Sequence, residues 1–62
     1  MKITKRGQQV LDLLVEGMTN SEIAEELLVS EVTVRKHLSK IIQDNNLKNR
    51  IQLVVRYVRC SQ

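Results

Sequence analysis

Arg35, Lys36 and Ser39 stand at i, i+1 and i+4, with Thr33 and Lys40 close on either side. On a helix this spacing gathers two cations and a hydroxyl on one face. Their chemistry is hydrogen-bond donation. A guanidinium can fork onto two acceptors, and an ammonium or hydroxyl can serve one at a time. Covalent chemistry has no comparable support. The chain lacks an activated nucleophile, a glycine-rich phosphate loop and a paired-carboxylate motif. His37 is the one histidine, has no evident partner, and falls beside an apolar stripe. It reads as a packed or phosphate-facing residue and not as a base. With Cys60 the one cysteine, neither an internal disulfide nor a four-ligand zinc site can form from this chain. No enzyme activity, metal or cofactor is expected.

Apolar positions recur at helical spacing along the chain, and no period-two segment is long enough for a strand. The expected fold class is all-α, a bundle of four helices in a single domain over residues 1–62. The first helix is placed at 5–16, with Thr4 as N-cap, Val10, Leu11 and Leu14 on one face, and Gly17 at the left-handed position after its end. The second is short, about 21–27. Thr19 and Glu22 have capping-box spacing, and Ile23, Ala24 and Leu27 form its apolar stripe. Leu28-Val29 make a turn, and Ser30 caps a third helix at 31–45 whose Val34, Leu38 and Ile41 face inward. The fourth starts after Asn49, which is spaced for capping with Gln52, and continues to about residue 59. Two helix starts eleven residues apart, at Thr19 and Ser30, with a short turn between them, make a helix-turn-helix.

The net charge of +3 understates how charge is arranged. Six acids and no Lys or Arg lie between Gly7 and Val34, whereas Arg35 onward carries seven bases against Asp44 alone. Such a chain orients in the field of a polyanion. No apolar run approaches the roughly 20 residues of a membrane span, and no signal-peptide core follows the N-terminal bases. No membrane association is expected, and a reducing, cytoplasmic setting fits.

These features make double-stranded DNA the expected partner. A helix fits the major groove of B-DNA, and residues near its N-terminus reach base edges. Arg35 and Lys36 can donate to guanine O6 and N7, and Ser39 lies one turn further along the same face. These three are the candidate base contacts. Thr33 and Lys40 are better placed for phosphates. So are Asn20 and Ser21 at the start of the second helix, where free N–H groups attract anions. Arg50 completes the backbone set. Each cation alone would pass for a solubilising face; behind a capped two-helix unit they point together to DNA.

The run Ile3-Thr4 … Val10-Leu11-x-Leu13-Leu14-x-x-Gly17-x-Thr19-Asn20-x-Glu22-Ile23-Ala24-x-x-Leu27-x-Val29-Ser30-x-x-Thr33-Val34-Arg35-x-His37 … Ile41 … Asn49-Arg50 resembles the LuxR/GerE/NarL-type helix-turn-helix domain. The resemblance covers about residues 3–58 and is most specific from Gly17 to His37. It implies a four-helix DNA-binding domain of a bacterial transcription regulator, commonly the effector domain of a response regulator. It implies that the third helix reads the major groove, with Arg35, Lys36 and Ser39 at base-contacting positions and Thr33 at a phosphate-contacting one. It further implies that the fourth helix forms the dimer contact; a weak homodimer through that helix, formed in solution or only on DNA, and a contact with RNA polymerase are expected beside it. Val54, Val55 and Val58 exceed one inward stripe and are the candidate dimer residues. A rival reading keeps the fold but uses the fourth helix to sequester a regulator or polymerase subunit.

Four departures from the family pattern carry expectations. Gly7 replaces the glutamate of Thr4's capping box, so the first helix is expected to start late or fray. Gln9 replaces a second glutamate. Asp44-Asn45 replaces a Lys-Leu pair, removing a core leucine and making the end of the third helix shorter or more polar. Ser21 stands where lysine is frequent, which weakens the phosphate contact from the second helix.

Overall fold

The structure is a computed structural model that describes residues 1–60; the last two positions of the expected domain, 61 and 62, lie outside the described residues. Four helices follow one another: α1 Lys5–Val15, α2 Asn20–Leu27, α3 Glu31–Asp44 and α4 Arg50–Cys60. No strand occurs among the described residues.

Local chemistry sets the helix starts. Thr4 Oγ1 accepts from the Gly7 N–H at 3.0 Å, and Ser30 Oγ accepts from the Thr33 N–H at 3.1 Å. Thr19 and Glu22 complete the expected reciprocal box, at 3.2 and 2.9 Å. That box holds the Glu22 carboxyl below its ordinary range, chiefly because the Thr19 backbone N–H donates to it. Asn49 Oδ1 accepts from the Gln52 N–H at 2.9 Å, while the Gln52 side chain reaches back to the Lys48 N–H. The expected boundaries shift by one residue at most places: Glu16 and Asn45 are C-caps, Asn20 is the first residue of α2, and α4 reaches Cys60.

The first three helices end the same way. A left-handed residue, Gly17, Leu28 or Asn46, is followed by an N–H that bonds five residues back: Met18 to Leu13, Val29 to Ala24, Leu47 to Ile42. Glycine and asparagine suit that conformation; leucine does not. Leu28 holds φ 57° with its side chain 91% exposed, so it carries backbone strain and no packing in return. Leu28→Gly is expected to stabilise the domain by about 1 kcal/mol. That corresponds to a rise of roughly 4–8 °C in Tm for a domain of this size. An unchanged or lower Tm in a thermal melt would contradict this account of the turn.

One core joins all four helices. Val10, Leu11 and Leu14 from α1, Ile23 and Ala24 from α2, Val34, Leu38 and Ile41 from α3, and Leu53 from α4 are buried together. The inward stripe expected of α3 is the one observed, and α3 packs on each of the other helices. Polar ties close the periphery. Arg6 donates to the Leu27 carbonyl at 3.1 Å, placing a cation on the C-terminal end of α2. The Tyr57 hydroxyl donates to the Asp12 carboxylate, joining α4 to α1, and that bond raises the phenol's pKa above its ordinary value.

One expectation is corrected and a second is borne out with an addition. α1 does not start late; it begins at Lys5 directly after its cap. Gly7 is buried, and a Cβ there would stand 3.1 Å from Ile41 Cδ1 and 3.1 Å from Thr4 Oγ1. The missing side chain lets α3 close over the first turn, which offsets the lost propensity. At the other end of α3, the leucine-to-asparagine departure is not a simple loss. The Asn45 side chain donates to the Lys2 carbonyl and the Ile41 carbonyl and accepts from the Lys2 N–H, all at 2.8 Å. The end of α3 is more polar, as expected, and the polar group pins the N-terminal segment.

Candidate nucleic-acid interface

The core decides which face of α3 remains outside. With Val34, Leu38 and Ile41 buried, Arg35, Lys36 and Ser39 are all exposed on the opposite side. Three helices meet along one side of this face. A recess of about 190 Å³ is lined by Asn20 from the start of α2, Arg35, Leu38, Ser39 and Ile42 from α3, and Arg50 from the start of α4. Four residues singled out from sequence, far apart in the chain, therefore share one concavity.

Asn20 has a second distinguishing feature. Its Oδ1 is buried and takes no hydrogen bond. A buried amide oxygen without a donor costs about 1–3 kcal/mol. Arg35 and Arg50, which line the same recess, carry the donors that could satisfy it. The backbone N–H groups of Asn20 and Ser21 precede the first hydrogen bonds of α2 and have no partner among the described residues. Ser21 is exposed. Glu22, held charged by its cap, adds a negative charge beside these donors and tempers their pull on a phosphate.

The remaining candidates lie apart from this cluster. Thr33 is half-buried, and its hydroxyl shares a 3.0 Å hydrogen bond with that of Ser30, so it serves first in the start of α3. Lys40 Nζ lies 3.3 Å from Asp44 in an exposed i,i+4 pair. Such surface pairs are worth under about 1 kcal/mol, so a phosphate can displace the carboxylate. Lys40 lines a different recess, of about 360 Å³, with Lys2, Ile3, Thr4, His37, Ile41 and Asp44. His37 is half-buried there, as its place beside the inward stripe suggested.

On α4 the dimer candidates divide. Val54 is half-buried against the domain's own core and does not belong with the outward set. Val55 and Val58 are 46% and 40% exposed, and Ile51, absent from the sequence-based set, is 75% exposed. Ile51, Val55 and Val58 at i, i+4 and i+7 make the outward stripe, and that spacing was the available signal. The apolar run Ile51 to Val58 hid it, because either side of the run could have faced the core.

No group of His, Cys, Asp and Glu suited to a metal occurs among the described residues, and no helix there is long and apolar enough to cross a membrane.

Comparison with known proteins agrees with this geometry. Residues 1–57 match the family described as bacterial regulatory proteins, luxR family. The chain is 45% identical over 60 residues to the spore germination protein GerE of Bacillus subtilis (strain 168), covering 97% of this chain and 81% of that protein. It is 45% identical over 56 residues to the uncharacterized transcriptional regulatory protein YxjL of the same organism, covering 90% of this chain and 26% of that protein. With the transcriptional regulatory protein DegU of Brevibacillus brevis the identity is 40% over 57 residues, covering 92% and 24%. The chain thus spans most of the length of GerE and about a quarter of the other two. An exposed basic face on the second helix of a helix-turn-helix, with a family match across nearly every described residue, leads to one assignment: this chain belongs to the luxR family of DNA-binding bacterial transcription regulators.

Proposed function

We propose that this domain binds double-stranded DNA sequence-specifically, with α3 in the major groove, as part of a cytoplasmic transcription regulator. The observation that carries the reading is the shared recess of Asn20, Arg35, Ser39 and Arg50 beside the exposed face of α3. Arg35 and Lys36 donate to guanine edges, and Ser39 reads one turn further on. Arg50, Asn20, Ser21, Thr33 and Lys40 hold phosphates and fix the register of α3. The unit that does this is the whole chain, residues 1–62, acting as one domain and needing no cofactor.

Two copies bind two half-sites through the outward stripe of α4. The dimer is weak, because a stripe of three aliphatic side chains is small beside the roughly 800 Å² per partner of a stable interface. DNA therefore assembles it. RNA polymerase is the further partner this regulatory role calls for.

Selection of bound sequences from a random duplex pool tests the reading. A recurring motif with two half-sites about 10 base pairs apart, or a multiple of it, is expected. Affinity should fall steeply with salt as counterions are released. A pool that stays random after selection would refute sequence-specific binding. Val55→Glu with Val58→Glu is expected to abolish cooperativity on the paired site while leaving single half-site affinity within about twofold, since both side chains are exposed and neither lines the recess. Retained cooperativity would remove α4 from the dimer contact. The exposed α4 stripe also favours a second reading, a module that sequesters a protein partner. Failure of the selection together with a stable complex dependent on Val55 and Val58 would establish that reading instead.

A further inference from the structure

Val32 is 49% exposed in the first turn of α3, where an aliphatic side chain gains nothing from the core. Its register is informative. Arg35, Lys36 and Ser39 follow it at i+3, i+4 and i+7, so Val32 lies in the middle of the face that carries them and opposite the buried Val34, Leu38 and Ile41. Helix side chains lean toward the N-terminus, so Val32 leads that face at the end where base edges are reached. Valine is β-branched and almost confined to one rotamer in a helix, so its methyl groups are held in place before any partner arrives. It neither donates nor accepts a hydrogen bond. In the major groove the one apolar feature that distinguishes a base pair is the C5-methyl of thymine.

We propose that Val32 is a specificity-determining residue that reads a thymine methyl at the edge of the sequence contacted by Arg35 and Lys36. The proposal rests on the placement of α3 in the major groove, and it adds an apolar reading element to a face otherwise built of donors. It makes the site recognised by this chain carry a thymine whose methyl group, not its hydrogen-bonding edge, is selected.

The test uses the full chain and the duplex obtained by selection. Each thymine in a half-site is replaced in turn by deoxyuridine, which removes the methyl and leaves every hydrogen-bonding group. One position is expected to lose about fourfold in affinity, the value of one buried methyl-sized group. Val32→Ser should weaken binding to the thymine duplex by a similar factor and be indifferent to uracil at that position, so that the two changes are non-additive. Val32 is exposed, so the variant should melt as the parent does. A half-site in which no uracil substitution matters, or equal uracil sensitivity in V32S, overturns the proposal. So does a selected half-site without thymine at that edge. Failure of the underlying reading looks different: Arg35→Ala and Lys36→Ala would then leave specific binding unchanged.

Discussion

Arg35→Ala is expected to weaken binding to the selected duplex by about 1–3 kcal/mol, roughly 5- to 150-fold, and to relax the preference at one guanine. The loss should be far smaller on a scrambled duplex, because a base contact contributes only where the base is present. Fluorescence anisotropy titrations on both duplexes, across a salt series, separate the outcomes. Lys36→Ala should behave in the same way with a smaller effect, since an ammonium cannot fork onto O6 and N7 together. Lys40→Ala is the contrast. As a phosphate contact it should weaken both duplexes alike and reduce the salt slope by about one. All three side chains are exposed and outside the core, so thermal stability should stay within about 0.5 kcal/mol of the parent. If Arg35→Ala and Lys36→Ala left cognate affinity untouched, α3 would not be the reading helix.

The largest effect on folding is expected at Leu53. It is the one fully buried side chain of α4, and it seats that helix against α1 and α3. Leu53→Ala removes three buried carbon atoms and leaves a cavity, at a cost of about 2–5 kcal/mol. A domain of this size has a total stability of roughly 3–9 kcal/mol. The substitution therefore consumes much of it. Denaturant unfolding should show a midpoint shifted far down, and α4 should lose amide-exchange protection before the other helices. The Tyr57–Asp12 hydrogen bond goes with it, and so does Arg50's place in the recess. Ile51→Ala makes the control: a side chain of the same size class, two residues away and 75% exposed, should cost under about 1 kcal/mol. A Leu53→Ala variant as stable as Ile51→Ala would show that α4 is held by something other than its one buried leucine.

Those two positions also show where sequence reasoning reached its limit. The run from Ile51 to Val58 is apolar enough that several helical faces could have been the inner one. Charge punctuates it only at Arg56, so the stripe facing the core was not separable from the stripe facing out. On α3, by contrast, basic and polar residues alternate with Val34, Leu38 and Ile41 at clean helical spacing, and the inward face was legible.

What the sequence by itself determined is what acts over three or four residues, together with the family pattern. Thr4, Thr19 with Glu22, Ser30 and Asn49 start the helices where expected, because a cap and its N–H are neighbours in the chain. The outward basic face of α3 follows from its own periodicity. What only the tertiary structure decided depends on partners distant in sequence. Gly7 suits the first turn of α1 because Ile41 packs where its side chain would stand, and Asn45 is an anchor because Lys2 lies beside it. Val54 turns inward while Ile51 turns out because α4 meets α1 and α3 at one rotation and not another. Asn20, Arg35, Ser39 and Arg50 line a single recess only because three helices converge there. The division has one physical cause. Hydrogen bonds along a helix are fixed by local spacing, whereas the rotation of one helix against another is fixed by how side chains from the whole chain fill the shared core.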